Sequence, residues 1–168
     1  NSGKPATVSF LAPSFDEDRN FNENRAQAAT IINNINTVLQ KMIPNQIGRF
    51  DDAYNENCAG DHFQKMGATT ILFEAGHFQD DYQRDTTRKF IFIGLVSSFI
   101  FIQDNPKKTD EIEQYLKIDP NKVNYYDFLY KNVAIIKDGK EEITNFASQY
   151  TEELIDDEIN FVANIFEI

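Results

Sequence analysis

The sequence predicts an α/β layered domain with a largely parallel sheet, followed by a small β-rich extension. Three observations carry that prediction. Residues 1–102 give the order strand, helix, loop, strand, helix, which is how layered α/β domains are built. Within that order, Thr69–Phe73 (TTILF) is β-branched and apolar without alternation, as a strand covered on both faces reads. The tail then changes character. Residues 1–102 hold 12 acids and 9 bases, whereas residues 103–168 hold 15 acids and 7 bases, and all five arginines lie in the first part. We therefore divide the chain into residues 1–105 and 106–168.

Taken in order, Thr7–Leu11 (TVSFL) reads as a short buried strand closed by Ala12-Pro13. Asn22 to Ile43 is the clearest helix: Ala28, Ile31, Ile32, Ile35, Val38, Leu39 and Met42 recur at three- and four-residue steps, and Pro44 stops it. Asp61–Met66 has room for one or two helical turns before Gly67. Thr69–Phe73 is the second strand, and Glu74 follows it. Asp85 to Ile102 is a second helix whose later turns carry Ile91, Phe92, Leu95, Val96 and Phe99. A helix apolar most of the way round is expected to be packed on several sides. Lys108 to Leu116 is a short polar helix ended before Pro120. In the tail, Val133–Ile136 runs into Lys137-Asp138-Gly139-Lys140, a strand entering a hairpin turn. Residues 141–155 are ambiguous, because Ile143, Phe146, Ala147, Tyr150 and Leu154 also fit a helical stripe. Ile159, Phe161, Ala163 and Ile165 alternate strictly and predict a strand.

Composition excludes some functions. Apolar residues make up 41% of the 168 and charged residues 26%, with 15 Phe and 7 Tyr available for a core. The net charge of −11 argues against nucleic acid and anionic membrane as partners, since both reward clustered Lys and Arg. No apolar run reaches bilayer-spanning length. Cys58 is the only cysteine, so no internal disulfide forms, and with only His62 and His77 available a self-contained His/Cys zinc site is not expected. The N-terminal stretch has no basic region followed by an apolar run, so it does not read as a signal peptide, and it lacks an initiator Met. A chain beginning part-way through a larger gene product is the expectation. With a single cysteine, a cytoplasmic setting is slightly favoured.

Glu74 is the leading candidate for chemistry. It directly follows Ile71-Leu72-Phe73 and precedes Ala75-Gly76. In open α/β sheets, sites lie just beyond the carboxyl ends of strands, and a carboxylate there is partly desolvated, which suits a general base. The bland alternative is a solvated glutamate ending a strand. Cys58 and His62 are four apart but lack a third orienting group, so an incidental cysteine is the preferred reading. Asp61 follows Gly60 and is expected to cap a helix start. His77 and Asp80 have His-x-x-Asp spacing in a loop-like stretch, which favours hydrogen bonding over metal ligation. Arg84 and Arg88 either pair with Asp80, Asp81 or Asp85 on the surface or send one guanidinium into the cleft to hold a substrate carboxylate. The acid patches Asp16-Glu17-Asp18, Asp51-Asp52 and Asp156-Asp157-Glu158 are read as solvated.

The stretch Gly48–Phe92 resembles zinc carboxypeptidases of the carboxypeptidase A type, and is more similar to a bacterial subgroup of that family. GRFDD (Gly48–Asp52), GDHFQKMGATTILFEAGHF (Gly60–Phe78) and DYQRDTTRKFIF (Asp81–Phe92) carry the likeness, and Pro5–Arg25 fits the same subgroup. It covers about the first 100 residues. The resemblance implies part of an α/β/α sandwich with a mostly parallel or mixed sheet. It implies that Glu74 is the general base that activates a zinc-bound water and passes its proton to the leaving amine. It implies a peptide C-terminus as substrate and zinc as cofactor of the complete protein.

Departures bound the likeness. The family binds zinc through His-x-x-Glu and a third histidine, all upstream of the catalytic glutamate; this chain has no His-x-x-Glu, so no metal ligand is assigned in it. Its arginines for the substrate carboxylate also lie upstream, and the arginine many members carry soon after the glutamate is replaced here by Ala75-Gly76. Tyr54, 20 residues before Glu74, is the candidate substrate-capping tyrosine. His77, three residues past Glu74, is a candidate to line the site. The chain alone is then expected to be silent, needing the upstream half of the catalytic domain; a partner segment or homodimer contact at an exposed strand edge follows from that reading. The competing function is a non-catalytic peptide- or protein-binding module that retains the fold.

Overall fold

In the computed structural model, which describes residues 5–122 and 126–168, the first strand is as apolar in its surroundings as its sequence suggests. All four residues of β1 (Val8–Leu11) are buried. The first helix, α1 (Glu23–Leu39), starts where Asn22 accepts the Arg25 backbone N–H through Oδ1 at 2.9 Å, relieving one of the orphan donors of the first turn. Its stripe of Ala28, Ile31, Ile32, Ile35 and Leu39 is buried. The helix ends at Leu39 rather than Ile43. Gln40 still donates to Asn36 O at 2.8 Å, but the chain then turns and Met42 is left exposed.

Next come β2 (Ile47–Arg49), α2 (Ala59–Lys65), β3 (Leu72–Ala75), α3 (Asp85–Asp104) and α4 (Ile112–Leu116). The sheet has the order β2-β1-β3, with β1 parallel to β2 and antiparallel to β3. It is therefore mixed rather than largely parallel. β3 is only half-buried, against the expectation of a strand covered on both faces. One face of the sheet carries the core: Phe10 meets Phe73 edge-to-face with ring centroids 5.0 Å apart, and Val8, Phe10, Ile32, Ile35, Leu39 and Phe90 belong to one buried cluster. Gly94 lets α3 close onto this cluster, since a Cβ there would stand 3.2 Å from Ile35 and 3.4 Å from Phe73.

The packing of α3 departs from the sequence expectation. Thr87, Phe90, Gly94 and Ser98 are buried, but Phe92 and Phe99 are each 66% exposed and Ile100 58%. The helix packs on one side only. No helix among the described residues is long and apolar enough to cross a membrane.

The chain divides into two units, Asn1–Lys122 and Val123–Ile168. α4 and the segment after it belong with the first: Arg49 and Pro120 form a β-bridge and Ser9 Oγ donates to Asn121 Oδ1 at 2.9 Å. The sequence had drawn its boundary after residue 105. The second unit is an antiparallel meander of β4 (Phe128–Lys137), β5 (Lys140–Ile155) and β6 (Glu158–Glu167). The Asp138-Gly139 turn has φ of 52° and 77°, the two positive values a tight right-twisted hairpin demands. Residues 141–155 are strand throughout, paired to β4 and β6, so the helical alternative is overturned by long-range pairing on both edges. The described residues thus form a mixed α/β architecture of four helices and two three-stranded sheets.

Candidate functional site: Glu74 and an arginine cluster

Glu74 lies one residue inside the end of β3, opposite Ser9 of β1. Alternation along the strand sends Phe73 into the core and Glu74 to the other face, on the same side as Ser9. The backbone beyond it is pinned. Gly76 N donates to Thr7 O at 2.9 Å, His77 N to Ala6 O at 3.2 Å, and Thr7 Oγ1 donates to His77 O at 3.0 Å. A Cβ at Gly76 would come within 2.0 Å of Ala6 O, so the residue two after Glu74 must be glycine for the two chains to approach this closely.

Arg84 is exposed, and its Nη2 donates to Ala75 O at 2.7 Å, clamping the carbonyl next to Glu74. Arg88 pairs with Asp85 at the surface and donates to Gln83 O at 2.9 Å. Asp81 caps α3, accepting from Thr86 N at 3.0 Å, Thr87 N at 2.8 Å and Thr87 Oγ1 at 2.9 Å. Desolvation pushes the Asp81 carboxyl up, but these donors together outweigh it and hold it below the ordinary value. Glu74, His77 and Arg84 are thus brought to one end of the sheet.

Because β3 runs antiparallel to β1, that end lies beside the start of β1 and not beyond the carboxyl ends of β1 and β2. The placement expected from a parallel sheet is corrected on this point. Tyr54 follows β2 and belongs to the carboxyl-end loops. It is half-buried, with the Lys65 ammonium 5.8 Å from its ring centroid. The structure does not join Tyr54 to the Glu74 group. Lys65 pairs with Glu56 at 2.8 Å, and the hydrogen bond from that pair is the main cause that raises the Lys65 ammonium. Asp61 is buried and accepts from Asn55 N at 2.7 Å. It ties the loop to α2 instead of capping the helix start. Cys58 is exposed.

The carboxyl ends of β1 and β2 hold a cluster that sequence reading missed. Arg25 is fully buried. Its Nε donates to Ala12 O at 3.1 Å, its Nη1 to Arg19 O at 2.5 Å and Asn20 O at 3.1 Å, and its Nη2 pairs with Asp52 Oδ2 at 2.5 Å. The guanidinium also lies 4.2 Å over the Phe21 ring. The other Asp52 oxygen takes Arg19 Nη1 at 3.0 Å. Asp52 is thus not the solvated acid expected, its side chain being 13% exposed. Burial by itself would raise its carboxyl; the Arg25 hydrogen bond and the charges of Arg25, Arg19 and Arg49 outweigh that and lower it. Tyr115 from α4 accepts the Ala12 N–H through its hydroxyl at 3.2 Å, and burial raises that hydroxyl. One signal for Arg25 was present: it stands three residues before Ala28 and seven before Ile32, on the buried stripe of α1. Arg49 and Asp52 sit outside a periodic segment, and although both belong to the GRFDD stretch that carries the family likeness, nothing in it pointed to their gathering beside Arg25.

Among the described residues no group of three or more His, Cys, Asp and Glu side chains stands close enough to hold a metal ion. Comparison with models of known protein families, with curated proteins and with solved structures finds no match for this chain.

Proposed function

We propose that this chain is part of the catalytic domain of a metallocarboxypeptidase-type hydrolase, in which Glu74 is the general base in cleavage of a C-terminal peptide bond. The supporting observation is the mounting of Glu74. It is half-buried on a strand whose preceding residue, Phe73, is locked into the core against Phe10, and whose following backbone is pinned at Ala75, Gly76 and His77. A carboxylate on so rigid a support keeps the orientation a proton transfer needs. In such a hydrolase a zinc ion acidifies the attacking water; its ligands would come from another part of the parent polypeptide, which would also complete an α/β/α sandwich. In this reading Glu74 takes up a proton and returns it to the leaving amine. His77 borders the site, and Arg84 orients the substrate carboxylate with the donors that the Ala75 carbonyl leaves unused; Tyr54, at the other end of the sheet, would have to swing in with its loop to cap the substrate.

The test is Glu74→Gln in the intact gene product. We expect kcat to fall by about 10²- to 10⁴-fold while zinc content and chelator sensitivity of the folded protein are unchanged. Turnover equal to the parent would refute the role. A second reading, a peptide- or protein-binding module that keeps the fold without hydrolysis, is favoured by one observation: the Arg84 guanidinium is already engaged by backbone. A parent polypeptide that binds no zinc at stoichiometric level would select it.

A further inference from the structure

We propose that the cavity at the carboxyl ends of β1 and β2 is a carboxylate-binding site, with Arg49 as its recognition group. The inference stands apart from the Glu74 reading and needs no metal. The cavity, about 420 Å³, is walled by Arg19, Arg49, Phe50, Asp52 and Asn121 among others. Its walls carry Arg19 and Arg49 against Asp51 and Asp52, and the buried Arg25 behind Asp52 brings the cluster to one net positive charge. Arg25 and Arg19 each take one oxygen of Asp52, and Arg19 also lies 3.6 Å from the largely exposed Asp51. Among the described residues no carboxylate stands within 4.0 Å of Arg49. Its Nε is buried with no hydrogen-bond partner, and the guanidinium rests 5.7 Å from the Tyr115 ring centroid.

The Arg49 backbone is held on both sides, N–H to Asp119 O at 2.8 Å and carbonyl to Asn121 N at 2.9 Å, so the side chain is presented from a fixed base. A buried cationic donor without an acceptor is costly, and an anion entering the cavity relieves it. A carboxylate suits the planar guanidinium fork. Asn121 adds to the fit: its Oδ1 is occupied by the Ser9 hydroxyl, which leaves its NH2 as a donor. Three guanidiniums against Asp51 and Asp52 leave room for one negative charge. A phosphate dianion would meet repulsion from both aspartates.

The experiment follows the Arg49 Nε–Hε resonance of the full chain by NMR during titration with acetate, ionic strength being held constant with chloride. A saturable shift is expected in the parent; acetate should also raise its melting temperature, with an apparent affinity weaker by tenfold or more in Arg49→Lys and with no rise in Arg49→Leu. If Arg49→Leu does not fold, the wild-type titration decides alone. An end-blocked Gly-Glu-Gly peptide that binds tighter than acetate, with Gly-Gln-Gly inert, would assign the carboxylate to a protein or peptide side chain; equal binding of acetate would assign it to a free small acid. Both outcomes support the site. No shift, a shift that chloride reproduces, or a phosphate response equal to that of acetate overturns it. Glu74→Gln should leave this binding unchanged, so failure here and failure of the hydrolase reading are separable.

Discussion

The two units of this chain use apolar residues in different ways. In the first, β1 and the stripe of α1 enclose a cluster in which Val8, Phe10, Ile32, Ile35 and Leu39 have no exposed surface. In the second, backbone pairing is extensive, yet Ile136 is 83% exposed, Leu154 72% and Ile165 70%, and among its described residues only Ala147 and Ser148 are buried. A helix laid across a sheet buries both partners, whereas three strands in a meander bury little besides hydrogen bonds. Aromatic pairs partly substitute: Tyr150 contacts both Phe128 and Phe161 edge-to-face, at 5.4 and 6.0 Å.

The sharpest way to break the comparison is a matched pair of truncations. Phe10→Ala removes a wholly buried ring and should cost about 3–5 kcal/mol of unfolding free energy. Phe161→Ala, at a ring 62% exposed, should cost less than about 1 kcal/mol. Urea denaturation followed by tyrosine fluorescence and by backbone circular dichroism measures both; equal costs would erase the distinction.

A smaller effect is expected from Asp52→Asn, on the order of 3 kcal/mol, because Arg25 stays buried without its counter-charge. Here the sign of the pH dependence is a second test. The folded Asp52 carboxyl lies below its ordinary value of 3.8, so its contribution is present above that pH and is lost as pH falls through the lower folded value. Acid titration of stability should therefore be flatter below about pH 4 in Asp52→Asn than in the parent. Identical acid profiles would mean that the arginine cluster does not hold the first unit together.

A smaller effect than that of Asp52→Asn is expected at the hairpin of the second unit. Gly139→Ala meets no atom within 4 Å, so steric room is not at issue. Its φ of 77° remains, and an L-residue there costs about 1–2 kcal/mol. Stability measured for this variant should fall in the second unit while hydrogen exchange in α1 is unchanged; loss of protection in α1 would show the two units to be one cooperative body.

Much of the local structure was legible. The α1 stripe from Ala28 to Leu39, the Asp138-Gly139 hairpin and the strict alternation of β6 are set by neighbours in the chain, and each formed where the pattern placed it. The errors share a cause. Residues 141–155 carry helical and strand periods alike, and pairing with β4 and β6 chose between them. The apolar turns of α3 resembled a helix packed on several sides, but exposure depends on what lies opposite, which no window of sequence contains. Glu74 was placed at a strand end correctly to within one residue, yet its surroundings hinged on strand direction, and β3 runs opposite to the direction assumed.

By itself, the sequence determined the main helices and the alternating last strand and which residue types each presents, because those follow from dihedral preference and periodicity over a few residues; where α1 and β3 stop and what residues 141–155 become were settled by tertiary pairing. The tertiary structure alone decided that Arg19 and Arg25 converge on Asp52 beside an Arg49 that takes no carboxylate among the described residues, and that Glu74 shares an end of the sheet with His77 and Arg84 and not with Tyr54. The physical reason is that convergence of side chains is fixed by strand order and direction, which are settled between distant segments.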